Sequence, residues 1–295
     1  MRAPLRRPVP APGSQGADVS FPPVVGVGIG ISQPANFGTK RFEDLPHAAT
    51  DIRQIVPLLA ELARRHNKDL RFTTLVGTEA TKQAIFDAIR SAVASLPPGG
   101  LFIFVLAGHA TEVPDVSGDE KILGYCCDQV FPTADWPILD DEMLALWTER
   151  PDITIFAIAD TCTAESVVAE LNFAPTERHM QLFHLAADLL PPRPASPVIR
   201  YHEVKEGPTI IQFAASVRGT DAGEVGLGEG RSGRLTDAII ATSQDEKNLS
   251  SYRSWFLTID EQLRRTSVQV PALYVRTNRG KAVIDAHPAF LQAGT

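Results

Sequence analysis

Cys162 and His109 are the two side chains of this chain that could break a bond together. A thiol attacks as the thiolate, and a nearby imidazole promotes that ionisation and then returns the proton to a leaving group. The pairing needs closeness in space, not in sequence. Cys162 follows TIFAIADT, an apolar run that breaks off at Asp160. His109 follows LFIFVLAG, a second apolar run. Each therefore sits just past the carboxyl end of what reads as a buried strand. A lone cysteine is more often a small buried hydrophobe. The charged Asp160 ahead of Cys162, where burial should be ending, argues against that here.

The elements that must position the pair follow from periodicity. Apolar and β-branched runs predict strands over 24–32, 71–77, 101–109, 152–160, 208–216 and 271–278. Helical spacing of apolar residues predicts helices over 51–65, 79–96, 140–150, 233–243 and 250–265. Pro57 falls inside the first helix and should bend it or reset its first turn. The Pro-rich stretch 174–208 reads as a mobile loop. Strands alternating with helices indicate an α/β fold with a mostly parallel sheet. Ligands of such sheets sit at the carboxyl ends of the strands. If the strands before His109 and Cys162 are neighbours, the two side chains face each other across one rim.

Composition narrows the function. The chain has 295 residues, 44% hydrophobic and 21% charged, and a net charge of −7. An acidic chain has no general attraction for nucleic acid or anionic membranes, so neither is expected as a partner. No apolar run is long enough to span a bilayer. Residues 1–20, rich in Arg and Pro, read as a disordered tail and not as a secretory signal. Cys126, Cys127 and Cys162 are an odd number, and the adjacent pair is poorly placed to bond to itself. No disulfide framework is expected, and a cytoplasmic location is the natural reading. GVGIGIS does not satisfy G-x-G-x-x-G, because the third position is Ile31 or Gln33. Its glycines lie inside the strand and are expected to let a helix pack closely. No phosphate-cradling loop occurs, which disfavours a nucleotide-binding protein. No organic cofactor is implied.

FVLAGHATEV resembles the strand-plus-histidine motif of caspase-like cysteine peptidases, and ADTCTAES their Asp-x-Cys nucleophile motif, most like metacaspases and their bacterial relatives. RFEDLPHAATDIRQIVPLL, TLVGTEATKQAIFDAI, PILDDEML, TIIQFAASVRGTDAGEV and GRLTDAIIA resemble further segments of that family, in the family's order, over about residues 22–280. The resemblance implies a three-layer sandwich forming one domain, with a large-subunit-like region over 21–173, the 174–208 loop, and a small-subunit-like region over 209–295. It implies that Cys162 attacks the scissile carbonyl and that His109 is its acid–base partner. The backbone N–H groups of Cys162 and Ala110 would hold the oxyanion. Asp51 and Asp160 match the acidic residues of the specificity pocket, which select Arg or Lys before the cleaved bond. Ser216 falls at the wall of the substrate groove.

Asp140 and Asp141 match positions that bind calcium in some metacaspases, with Asp119 or Glu120 to complete the site. Asp51 and Asp140 also precede apolar helices and could act as their N-caps. The implied substrates are proteins or peptides with basic residues, and the 174–208 loop, carrying Arg178, Arg193, Arg200 and Lys205, is a candidate for self-cleavage. Three positions depart from the family: Ala110 replaces its usual Gly, Thr163-Ala164-Glu165 its usual His-Ser-Gly, and Ala48 a frequent Cys. The rival reading these departures support is a catalytically silent caspase-like interaction or regulatory module.

Overall fold

A computed structural model describes residues 24–114, 127–162, 196–217, 222, 224–225, 232–267 and 269–291. Seven strands form one sheet in the order β2-β1-β3-β7-β9-β12-β8. They are β1 (Val24–Gly30), β2 (Leu70–Val76), β3 (Leu101–Ala107), β7 (Thr154–Asp160), β8 (Val198–Glu203), β9 (Thr209–Ala214) and β12 (Ala272–Thr277). All neighbours are parallel except β9 with β12. β3 and β7 are buried along nearly their whole length, as expected of central parallel strands covered on both faces.

Helices cover both faces, so the molecule is a three-layer α/β sandwich. α1 (Pro46–Arg65), α4 (Arg234–Thr242) and α5 (Tyr252–Thr266) pack on one face with Ile103, Val105, Phe156 and Phe213. α2 (Lys82–Ala94) and α3 (Asp140–Thr148) pack on the other with Phe102, Phe104 and Ile155. Phe156 of β7 lies in an aromatic cluster with Phe213, Tyr252 and Trp255, at ring separations of 5.1–5.9 Å. That cluster fixes the strand leading to Cys162. A small antiparallel sheet of β4 (Thr111–Pro114), β5 (Cys127–Phe131) and β6 (Ile138–Leu139) follows His109. β10 (Glu224–Val225) and β11 (Ser232–Gly233) form a short ladder before α4.

The glycines of β1 behave as the alternation requires. Val27 and Ile29 point toward α2, while Gly28 and Gly30 face α1. A Cβ on Gly30 would come within 2.6 Å of the Ala48 carbonyl oxygen, and one on Gly28 within 3.0 Å of Val56. α1 therefore rests directly on the strand backbone. Gly30→Ala should destabilise the protein by about 1–3 kcal/mol through overpacking, read as a lower denaturation midpoint at constant slope.

Several boundaries differ from expectation for local reasons. α1 begins at Pro46, not Asp51, because Pro46 supplies the favoured φ of a first helical residue. Asp51 is thus in its second turn and is not a cap. Pro57 neither ends nor resets the helix: Pro57 and Arg53, whose carbonyl loses its N–H partner, are both on the exposed side, where water serves instead. Within the stretch read as a loop, residues 198–203 form β8, so Arg200 lies in a strand paired with β12. Cys127 is disulfide-bonded, a bond not anticipated by the reading that no disulfide framework is present. Residues 1–23 and 115–126, Arg178 and Arg193 lie outside the described residues. No helix among the described residues is long and apolar enough to cross a membrane.

Candidate active site

β3 and β7 are adjacent and parallel, with Ala107 opposite Asp160. His109 and Cys162 each follow by two residues, so the register carries them to the same height on the carboxyl rim. Both line a cleft of about 100 Å³, together with Leu45, His47, Ala48, Asp51, Asp160 and Gly233. Cys162 is half-buried, is not disulfide-bonded and is not sealed in the core.

His109 is held on two sides. Its Nε2 lies 3.0 Å from the Glu43 carbonyl oxygen. A carbonyl can only accept, so Nε2 carries the proton and the lone pair of the neutral ring is on Nδ1. The Phe42 ring packs beside the imidazole at 5.7 Å between centroids. The N–H of Ala222 donates to the Cys162 sulfur at 3.4 Å. The thiol in turn points to the Ala222 carbonyl oxygen at 3.9 Å, so one residue contacts the sulfur through both backbone groups. Neither the Glu43 carbonyl nor the Ala222 amide was legible in the sequence, because both act through the backbone and any residue type could supply them.

Asp51 and Asp160 converge on the start of α4. Asp51 Oδ1 accepts from the Gly233 N–H at 3.0 Å, and Asp160 Oδ2 accepts from the Thr236 N–H at 2.8 Å. They are only 4% and 6% exposed. Two buried carboxylates need compensation. The N-terminal amides of a helix give it through hydrogen bonds and the positive end of the dipole. Gly233 is required at the contact: a Cβ there would lie 2.1 Å from Asp160 Oδ2.

Ser216, Asp140 and Asp141 do not line this cleft. Ser216 is fully buried and is not among the cleft's lining residues; its hydroxyl donates to the Thr161 carbonyl at 3.3 Å, bracing the peptide just before Cys162. Asp140 is the first residue of α3, not its N-cap, which is Leu139. It is buried, and its Oδ1 accepts from the Gln129 N–H at 3.1 Å. Asp141 follows, half-buried. Calcium needs six to eight oxygens. Among the described residues no group of three acidic, His or Cys side chains is placed to hold a metal, and Asp119 and Glu120 lie outside them. The cleft is also lined by His47, which no motif in the sequence marks. Its spacing from Asp51, one helical turn, is a signal only in a helix that starts at Pro46.

The sequence matches the caspase domain family, Peptidase C14, over residues 35–283. The chain belongs to the caspase-domain family. That membership makes it a member of a cysteine peptidase family with a caspase-like fold. Protein GSU0716 from Geobacter sulfurreducens, known from a crystal structure, is similar with a TM-score of 0.62 and 18% identity, covering 91% of this chain and 98% of that one. This likeness supports the fold alone. No curated protein gives a significant match. In this caspase-like chain the match takes in both strands of the rim, α1 and the start of α4.

Proposed function

We propose that this caspase-like protein is a cysteine endopeptidase that cuts after Arg or Lys through Cys162 and His109. The observation that carries the reading is the β3–β7 register, which brings an imidazole and a half-buried thiol to one rim, beside two buried carboxylates. His109 Nδ1 accepts the proton of Cys162, and the thiolate attacks the scissile carbonyl carbon. The resulting oxyanion is held by the N–H groups of Cys162 and Ala110. The C–N bond then breaks as the imidazolium protonates the departing amine. Water, deprotonated by His109, cleaves the thioester and restores the thiol. The Asp51 and Asp160 carboxylates take the guanidinium or ammonium of the residue before the cut.

Fluorogenic peptides ending in Arg, Lys and Asp test the reading, each with and without added calcium. Hydrolysis of the Arg and Lys peptides, and not of the Asp peptide, is expected. Cleavage of none, with no labelling of Cys162 by peptidyl electrophiles, would favour the silent module that the Ala110 and Thr163–Glu165 departures suggest. Self-processing would be seen as a second band on a denaturing gel that is lost in Cys162→Ala. Lys205, in the turn after β8, is the described candidate site.

A further inference from the structure

Ser216 does not reach the cleft, yet its side chain holds the peptide group that leads into the nucleophile. The hydroxyl donates to the Thr161 carbonyl at 3.3 Å, and the two residues are 0% and 1% exposed. That carbonyl belongs to the same planar amide as the Cys162 N–H. We propose that Ser216 is a positioning residue for the oxyanion hole, which fixes and polarises the Thr161–Cys162 peptide so that the Cys162 N–H is aimed at the developing negative charge. This deepens the peptidase reading above and rests on it.

The sheet shows why a side chain is needed there. β7 and β9 are parallel, and the rungs of a parallel ladder recur at every second residue. The Ala215 N–H donates to the Ala159 carbonyl at 2.9 Å, so the next rung would run from the Val217 N–H to the Thr161 carbonyl. Val217 instead donates to the Val270 carbonyl at 3.0 Å, where the chain has left β9. The Ser216 hydroxyl gives the Thr161 carbonyl the donor that the ladder withdraws. On the other side the Gly108 N–H, one residue before His109, donates to the Asp160 carbonyl at 3.3 Å. The last two carbonyls before Cys162 are thus held from both neighbouring strand ends. A hydrogen bond to an amide oxygen draws electron density from the nitrogen, which makes the N–H of the same amide a stronger donor. Burial keeps water from replacing the hydroxyl. Without that bond the peptide plane can tilt, and an oxyanion donor acts only when it is aimed at the place the charge will occupy.

The test compares the native protein with Ser216→Ala on an Arg peptide substrate and on two probes of the thiol. A peptide aldehyde ending in Arg takes the Cys162 sulfur at its carbonyl carbon. A C–S bond forms, the thiol proton passes to His109, and the π pair becomes an oxyanion in the hole. Iodoacetamide alkylates the same sulfur by displacing iodide and develops no oxyanion. Losing an oxyanion donor outright costs about 10²–10³-fold in kcat in other enzymes, so a donor that is only mis-aimed should cost roughly tenfold. Ser216→Ala should therefore lower kcat roughly tenfold with KM unchanged and weaken aldehyde inhibition by a similar factor, while iodoacetamide capture stays near native. The substitution removes one oxygen atom and should fold, which a melting curve checks. Ser216→Thr, which keeps the hydroxyl, should retain most of kcat and of aldehyde affinity. Native kcat in Ser216→Ala, an equal loss in iodoacetamide capture, or a Ser216→Thr as impaired as Ser216→Ala overturns the role of Ser216. If Ser216→Ala does not fold, the Ser216→Thr result decides. If the native protein cuts no Arg or Lys peptide, the peptidase reading itself fails, and this inference with it.

Discussion

Cys162→Ala should abolish hydrolysis of every peptide the protein cleaves, by a factor on the order of 10⁴ or more in kcat. His109→Ala should cost a comparable factor. The reason is geometric. Ala107 and Asp160 are register partners on adjacent parallel strands, so the chain exits of β3 and β7 leave the sheet side by side. Among the described residues of the cleft, Cys162 is the one thiol, and His109 is the imidazole carried on the neighbouring strand end. Because the two act as a unit, the double variant should be no worse than either single one. Neither substitution touches the aromatic cluster behind β7, so both variants should melt close to the native protein. Single-turnover rates with an Arg peptide, beside a melting curve, measure this. Residual turnover in Cys162→Ala above a thousandth of native would assign the chemistry elsewhere.

Gly233→Ala should lower kcat/KM for Arg peptides about 10²-fold and destabilise the protein by about 1–3 kcal/mol. The added methyl would need the place of the Asp160 carboxylate, 2.1 Å from Oδ2 and 2.5 Å from Cγ. Both groups are held by short contacts, Asp160 by the Thr236 N–H and Gly233 by Asp51. The carboxylate must therefore swing away, or the start of α4 must lift. Either movement breaks the pocket while leaving the thiol in place. Capture of Cys162 by iodoacetamide should continue at near-native rate, which separates a damaged pocket from a damaged nucleophile. The same loss for a peptide carrying citrulline, the neutral near-isostere of Arg, before the cut would show general misfolding instead.

How much of this was readable beforehand depends on whether the signal was local. The long strands and helices were legible because an apolar face with a fixed period spans each of them; β1 even declared its close contact with α1 through Gly28 and Gly30. β8 was hidden because VIRYHE is half-buried along an edge, lacks a clean alternation, and follows a Pro-rich stretch. The small β4–β6 sheet has strands too short to show a period. His109 and Cys162 could be named from strand ends, but their adjacency is a fact of strand order, which sequence spacing does not encode. The anchoring of Asp51 joins groups far apart in the chain, so its helix-start position suggested a cap when the structure makes it a partner of Gly233. Ser216 was placed on the groove wall by resemblance, whereas burial directs its hydroxyl to Thr161.

The most direct test is a crystal structure of the protein inactivated by a peptidyl electrophile that ends in Arg. The expected electron density joins the inhibitor to Cys162 Sγ, with His109 Nδ1 beside the bond and the guanidinium between Asp51 and Asp160. Density on another side chain, or a guanidinium left in solvent with the two carboxylates still bound only to α4, would contradict it.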